Sequence, residues 1–327
     1  MKINEDFPKV SIFIAARNEE NNILDLFHSL ENLTYPKEKL QILIGNDGST
    51  DRTEAIIQEF IIKKPYFQLF NIEKQVAALK GKANVLAQLA HHAKGDYFLF
   101  TDADVEVPER WIEEMPKISG VVTGITLVKN SHWFEACQAI EWFFALYLMK
   151  RMSDFKLPST GMGNNMMVSA EAYWAVGGYE KIGFSIVEDY ALYKAVVDAG
   201  FQFRQEFKHS LMTVTKPPPN YFEQRKRWVT GGMASKSILI IPAFTQGLAL
   251  PILLIISLLS WKVSVLIFLL NLLINFFYGF RIFKKVNQNS LLKYIPTYTI
   301  YMYVFWFLQL VAYFLPTKLI WKGRRYN

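Results

Sequence analysis

The run YFLFTDAD, Tyr97–Asp104, is an apolar, β-rich segment that stops abruptly at two carboxylates. Tyr97–Thr101 reads as a buried strand, and Asp102-Ala103-Asp104 reads as its exit. Working outward, Val10–Ala15 (VSIFIA), Leu40–Gly45 (LQILIG) and Phe67–Ile72 have the same character. Helical patterns separate these runs. Asn18–Leu30 has Asn18 as its cap and Ile23, Leu24, Phe27 and Leu30 on one face; Arg52–Ile62 and Lys82–His92 follow. Strands alternating with helices predict an α/β fold around a mostly parallel sheet. In such a sheet ligands gather beyond the carboxyl ends of the strands, where Asp47 and the Asp102/Asp104 pair fall.

Downstream the chain changes character. Ser237–Trp261, Val263–Phe280 and Tyr294–Thr317 contain no Asp, Glu, Lys or Arg. The first and last are long enough to cross about 30 Å of hydrocarbon, which argues against a purely soluble protein. Lys and Arg number 36 against 29 Asp and Glu, a net charge of +7 that suits a phosphate-bearing partner or an anionic lipid surface without choosing between them. One cysteine, Cys137, excludes an internal disulfide and the usual thiolate zinc cages, so a metal would be held by oxygen. The N-terminus is charged, and Val10–Ala16 is too short for a signal-peptide core, so the first 230 residues are expected in the cytosol. In Trp133–Met149 the polar residues Glu135, Gln138 and Glu141 recur every third position, which fits either a core helix or one lying in a membrane surface. After Pro217-Pro218-Pro219 a helix carrying Arg225, Lys226 and Arg227 runs toward the first uncharged stretch.

Four constellations carry chemistry. Asp102 and Asp104, at i and i+2 where the chain leaves extended geometry, can present hard oxygen ligands to Mg²⁺ or Mn²⁺, or simply shape a turn. Lys80-Gly81-Lys82 opens a helix, so backbone N–H groups and ammonium charge can face a phosphate; the same residues also suit a solvated basic turn. Glu188-Asp189 begins a helical run (Tyr190–Ala199), as a dipole-stabilising pair or as a base accepting a proton from a hydroxyl. Gln224, Arg227 and Trp228 share a helix face at i, i+3 and i+4, suited to diphosphate and sugar, or to lipid phosphate and the membrane interface.

Taken in order, VSIFIAARNEE, NDGSTD, KGKAN, GDYFLFTDADV, GMGNNMMV, VGGYE, VED and QRKRW resemble the membrane-associated family-2 glycosyltransferases, the branch with cellulose synthase, hyaluronan synthase and ceramide glucosyltransferase, over about residues 9–235. The resemblance implies a GT-A fold that moves a sugar from a nucleoside-diphosphate donor, a UDP-sugar in the first instance, with inversion. It implies that Asp47 holds the base, Lys82 approaches the diphosphate, Asp102 contacts the ribose region and Asp104 ligates the metal. Asp189 would be the general base. Gln224 and Arg227 would grip the leaving diphosphate, Trp228 would floor the acceptor site, and Gly163, Asn164 and Glu188 would shape the acceptor pocket. Asn46 stands where the family often has aspartate, and Arg17 where it often has an aromatic; both bear on which nucleotide is held.

The expected organisation is a cytosolic catalytic domain over residues 1–235 and a membrane domain over 236–327, with helices near 238–260, 263–280 and 295–317. The setting would be a cell inner membrane, spanned several times. Three spans place Arg281, Lys284, Lys285 and Lys293 on the inner side but Lys318, Lys322, Arg324 and Arg325 outside; a third segment lying in the interface would put both clusters on one side. A lipid or lipid-linked acceptor ranks ahead of processive polysaccharide synthesis, because three segments leave little room for a polymer channel. A non-catalytic nucleotide-sugar-binding module and a nucleotidyltransferase are the competing classes. No nucleic-acid partner is expected, and the oligomeric state is left open.

Overall fold

A computed structural model describes residues 7–234, 237–315, 319–321 and 324–326. By internal contacts the chain forms two compact units, one of residues through Thr126 together with Ser153–Thr215, the other of Leu127–Met152 together with the chain from Lys216. The elements run β1 (Val10–Ala16), α1 (Ile23–Glu31), β2 (Leu40–Asn46), α2 (Thr53–Ile61), β3 (Phe67–Asn71), α3 (Lys82–Ala90), β4 (Tyr97–Asp102), β5 (Val105–Glu106), α4 (Trp111–Glu114), β6 (Gly120–Thr123) and β7 (Ile125–Val128). They continue with α5 (Trp133–Asp154), β8 (Met166–Ser169), α6 (Ala170–Ala175), α7 (Gly178–Ile182), α8 (Glu188–Asp198), β9 (Gln202–Gln205), β10 (Met212–Thr215), α9 (Tyr221–Ala234), α10 (Ile240–Leu259), α11 (Trp261–Lys285) and α12 (Ile295–Phe314). Two short strands, β11 (Leu319–Trp321) and β12 (Arg324–Tyr326), pair with each other.

The main sheet has the order β3-β2-β1-β4-β8-β6-β9. The pairs β3–β2, β2–β1, β1–β4 and β6–β9 are parallel; β8 is antiparallel to both its neighbours. Both faces are buried. Ile12, Ile14, Ile42 and Ile44 pack with Leu26, Phe27 and Leu30 of α1, while Phe13, Leu43, Phe98 and Phe100 pack with Val85, Leu86 and Leu89 of α3. That double cover is why VSIFIA and LQILIG are continuous apolar runs rather than alternating ones. Burying each such side chain is worth about 1.5–3 kcal/mol. A Cβ on Gly45 would collide with Val85, so the glycine lets α3 sit close on β2.

The register aligns the functional ends. Ala16 pairs with Asn46 across β1–β2, and Ala15 pairs with Asp102 across β1–β4, so Asp47 and Asp102 leave the sheet at one edge. The first helix begins later than its periodicity implies. Asn18 is not its cap: it stands at φ +54, donates its N–H to the Ser49 hydroxyl at 3.1 Å, and accepts the Thr50 N–H at 2.8 Å through its side chain. Asn18, Glu19 and Glu20 are thereby committed to tying the chain after β1 to the chain after β2, and α1 starts at Ile23.

In the second unit, Ile240–Leu259, Trp261–Lys285 and Asn289–Phe314 are long and apolar enough to cross a membrane. The prolines fit. Pro242 lies in the first turn of α10 and Pro296 at the start of α12, where a missing N–H costs little; only Pro251 sits in a helix interior. Asn275 of α11 donates to Thr299 of α12 at 3.1 Å, a polar tie between two otherwise apolar helices.

Candidate active site

The site in the first unit forms where β4, α3, the loop before β8 and the start of α8 meet. The β4 strand ends at Asp102; Ala103 then turns inward and is 2% exposed, while Asp102 and Asp104 on either side stay half-buried. Gly81, at φ +58 and ψ −136, turns the chain into α3 so that Lys82 is its first residue. Lys82 does not point into open solvent. Its ammonium lies 2.6 Å from Asp102 and 3.1 Å from Glu188. Burial works against that charge, but Asp102, Glu188 and Asp189 more than offset it and hold the ammonium firmly protonated.

Asp189, in the first turn of α8, is held by backbone. Its Oδ2 accepts the Gly163 N–H at 2.7 Å and its Oδ1 the Tyr190 N–H at 2.8 Å. Burial and the neighbouring Glu188 raise its pKa to about 6, with Lys82 and the two N–H groups acting in the opposite direction. Each oxygen keeps a further lone pair, so the carboxylate can still accept a proton from a bound hydroxyl. The glycines are there to allow this approach. A Cβ on Gly161 would stand 2.6 Å from the Asp189 carbonyl oxygen; one on Gly163 would stand 3.0 Å from the Asp189 Cβ and 3.1 Å from the Lys82 Nζ.

Asn164 and Asn165 divide their work. Asn164 receives the Thr101 hydroxyl on its carbonyl at 3.4 Å and the Thr126 hydroxyl on its side chain at 3.2 Å. Asn165 was not singled out by sequence reasoning, yet it is fully buried. Its amide donates to Ile125 and Leu211 carbonyls, each at 2.8 Å, and accepts the Trp111 indole N–H at 2.9 Å. The doubled Asn in GMGNN was the available signal: one of the two anchors the loop that carries Gly163.

At the Asp47 end of the sheet edge, Arg17 donates to the Asp47 carbonyl at 2.6 Å. Asn46 is 3% exposed, donating to Glu54 at 3.1 Å and Asn71 at 3.0 Å while accepting the Ser49 N–H at 3.1 Å. The two departures from the family pattern therefore brace the Asp47 loop. In the first unit the structure thus gathers Lys82, Asp102, Gly163, Glu188 and Asp189, sets Asp104 one turn position beyond Asp102 and Asn164 next to Gly163, and brings Asp47 to the same sheet edge.

Gln224, Arg227 and Trp228 lie on α9 in the second unit. Trp228 stacks on Trp142 of α5 at 4.8 Å and 22°, and Arg225 approaches its ring, at 4.5 Å. Arg225 also pairs with Glu141 at 2.5 Å, both side chains almost fully buried. Of the polar stripe on α5, Gln138 and Glu141 are 3% and 6% exposed, Glu141 meeting Arg225 within this unit, while Glu135 bonds to Ser131 just before the helix.

Among the described residues, no three His, Cys, Asp or Glu side chains gather as an all-protein metal cage would require. The strand-end carboxylates fit a different arrangement, in which an ion takes one or two of them and completes its shell with phosphate oxygens and water.

The profile described as "Glycosyl transferase family 2" matches residues 11–177, and that described as "Glycosyl transferase family group 2" matches 101–315. The chain is 29% identical over 241 residues to the "Probable glycosyltransferase YdaM" of Bacillus subtilis, covering 69% of this chain and 56% of that protein. It is 28% identical over 186 residues to the "Beta-monoglucosyldiacylglycerol synthase" of Synechocystis (54% of this chain, 38% of that one). It is 30% identical over 234 residues to the "Poly-beta-1,6-N-acetyl-D-glucosamine synthase" of Staphylococcus epidermidis (68% and 54%). The chain spans about half, or less, of the length of these relatives. Among solved structures, a mannosyltransferase from Pyrobaculum calidifontis in complex with GDP-Man and Mn²⁺ superposes with a TM-score of 0.58 at 17% identity, covering 90% of this chain and 87% of that one.

Proposed function

Since the chain belongs to glycosyl transferase family 2 and is a glycosyltransferase of GT-A fold, we propose that it transfers a sugar, with inversion, from a nucleoside-diphosphate donor to a hydroxyl of a lipid or lipid-linked acceptor at a membrane. The observation that carries this reading is the Asp189 carboxylate, fixed by two backbone N–H groups beside Lys82 and Glu188, with a pKa of about 6. A base poised near operating pH can take the acceptor proton in the transition state, an effect worth about 10²- to 10⁴-fold.

In this mechanism the acceptor oxygen bonds to the anomeric carbon as the bond from that carbon to the diphosphate oxygen breaks. The acceptor proton goes to Asp189 and the electron pair leaves with the diphosphate. Lys82 releases its carboxylate partners to meet the diphosphate, which Gln224 and Arg227 also hold. Asp47 receives the base, a uracil in the first instance, and Asp102 the ribose. Gly163, Asn164 and Glu188 line the acceptor pocket, and Trp228 offers its flat face to the acceptor. A divalent cation, Mg²⁺ or Mn²⁺, held on Asp104 and the donor phosphates would supply charge neutralisation of the leaving group.

Residues 1–235 act on the cytosolic side of an inner membrane and the helices after 236 cross it. Supporting this, the chain beyond Glu223 holds thirteen Lys and Arg and no Asp or Glu, a balance suited to anionic lipid headgroups. Leu258 and Leu259, at the end of α10, are 87% and 84% exposed, which suits lipid rather than water. Similarity to a glucosyldiacylglycerol synthase favours a lipid acceptor; similarity to a polysaccharide synthase makes processive synthesis the second reading. Membranes containing the protein, given a panel of labelled nucleoside-diphosphate sugars and lipid extract, should release nucleoside diphosphate and form a singly glycosylated lipid. Release of pyrophosphate would refute glycosyl transfer, and a ladder of polymer would replace the lipid reading with the processive one.

A further inference from the structure

Two consecutive residues of α5 engage two residues of α9 within the second unit. Glu141 pairs with Arg225 at 2.5 Å, and the ring of Trp142 stacks on that of Trp228. The Tyr301 hydroxyl of α12 lies 3.1 Å from the same Glu141 oxygen and 2.8 Å from the Tyr221 hydroxyl, so two phenols, a carboxylate and a guanidinium form one buried chain. Burying an ion pair is costly, and apolar residues of similar size often serve stability as well or better, so the pair calls for another account.

The geometry supplies one. The Arg225 guanidinium carbon lies 4.5 Å from the Trp228 ring centre and 5.9 Å from that of Trp142. It therefore lies over both rings, so that its flat cation borders the stack. Trp228 is therefore held by the ring of Trp142 and the guanidinium of Arg225 together. Glu141 fixes the guanidinium, and Tyr301 fixes Glu141 to a helix long and apolar enough to cross a membrane.

We propose that Glu141, Trp142 and Arg225 are positioning residues that set the plane of Trp228 as the platform for the acceptor. This rests on the acceptor role of Trp228 given above. Lysine cannot substitute for Arg225 here, because a point charge has no plane to lay along two rings.

The test uses the full-length protein in lipid nanodiscs. Stacked indoles give an exciton couplet in circular dichroism, and subtraction of the Trp142→Leu spectrum isolates the Trp142–Trp228 component. Arg225→Lys and Glu141→Gln should each lower that component by half or more without changing helix content; an unchanged couplet in both would overturn the proposal. Kinetics then use UDP-glucose with diacylglycerol in phosphatidylglycerol discs. Trp142→Leu should lower kcat/KM for diacylglycerol at least tenfold while the donor KM and slow donor hydrolysis by water stay within twofold, and Trp142→Phe, which restores an aromatic face, should recover to within about threefold. A structural role alone would damage donor hydrolysis and transfer in parallel, and that result would overturn the proposal. Normal transfer by Trp228→Ala would refute the acceptor role of Trp228 and the proposal with it; normal transfer by Trp142→Leu beside a defective Trp228→Ala would refute the positioning role alone. Absence of turnover with diacylglycerol in the wild type would refute that acceptor and not the clamp, which the couplet decides.

Discussion

Removing the Lys82 ammonium, by Lys82→Met, should move the acid limb of the pH–rate profile upward. The Lys82 Nζ and the Asp189 Oδ2 lie 3.1 and 3.3 Å from the point where a Cβ on Gly163 would stand, so they are no more than about 6.4 Å apart. At an effective dielectric constant of about 20, two unit charges at that distance attract by ~2.6 kcal/mol, or ~2 pH units of Asp189 ionisation. The Lys82 side chain is 25% exposed, so solvent screening brings the expectation to about 1–2 units. The sign follows from the base role. Asp189 works as its carboxylate, so with a pKa of about 6 the wild-type rate falls as pH drops below 6. Without the ammonium the carboxyl binds its proton more tightly, and the fall begins about 1–2 units higher. The assay is kcat/KM for the donor from pH 5 to 9, which reports the ionisation of the free enzyme. Lys82→Met will also bind donor more weakly, which lowers the whole curve without moving its limb. A limb that stays in place or moves to lower pH would show that Lys82 does not act on Asp189 through its charge.

Gly161→Ala should cost transfer at least tenfold, because its Cβ would stand 2.6 Å from the Asp189 carbonyl oxygen and must displace the start of α8; wild-type rates would mean that α8 tolerates the shift. Asn165→Ala strips hydrogen bonds from the Ile125 and Leu211 carbonyls and the Trp111 indole, and should lower stability by about 2–4 kcal/mol, read as a drop of several degrees in the thermal midpoint. Chelation should weaken donor binding, measured by calorimetry, with Mn²⁺ or Mg²⁺ restoring it; Asp104→Ala should bind donor weakly with or without metal. Equal binding by the wild type with and without chelator would remove the metal from the account.

The parallel half of the sheet was legible because its strands are buried on both faces: Val10–Ala16 and Leu40–Asn46 carry their fold class in unbroken apolar runs. The four-residue strands β6, β8 and β9 were not, since they pair out of chain order and are too short for periodicity to register. Asn18 misled because a cap-like residue was needed elsewhere, across the β1 and β2 exits. The acidic stripe on α5 could be seen as a polar face, but the partner of Glu141 is Arg225, 84 residues away, and nothing local specifies that distance. Likewise each of Lys82, Glu188 and Asp189 could be read as a turn or cap alone; only β4 and the loop carrying Gly163 give them one another as neighbours.

Asp189→Asn tests the central claim most directly. The substitution keeps the shape but leaves one oxygen in place of two, so only one of the Gly163 and Tyr190 N–H groups keeps its acceptor, and it removes the basic carboxylate. Single-turnover transfer should fall at least about 100-fold while the donor dissociation constant, measured on the same preparation, stays within about threefold. Transfer at the wild-type rate would contradict the account.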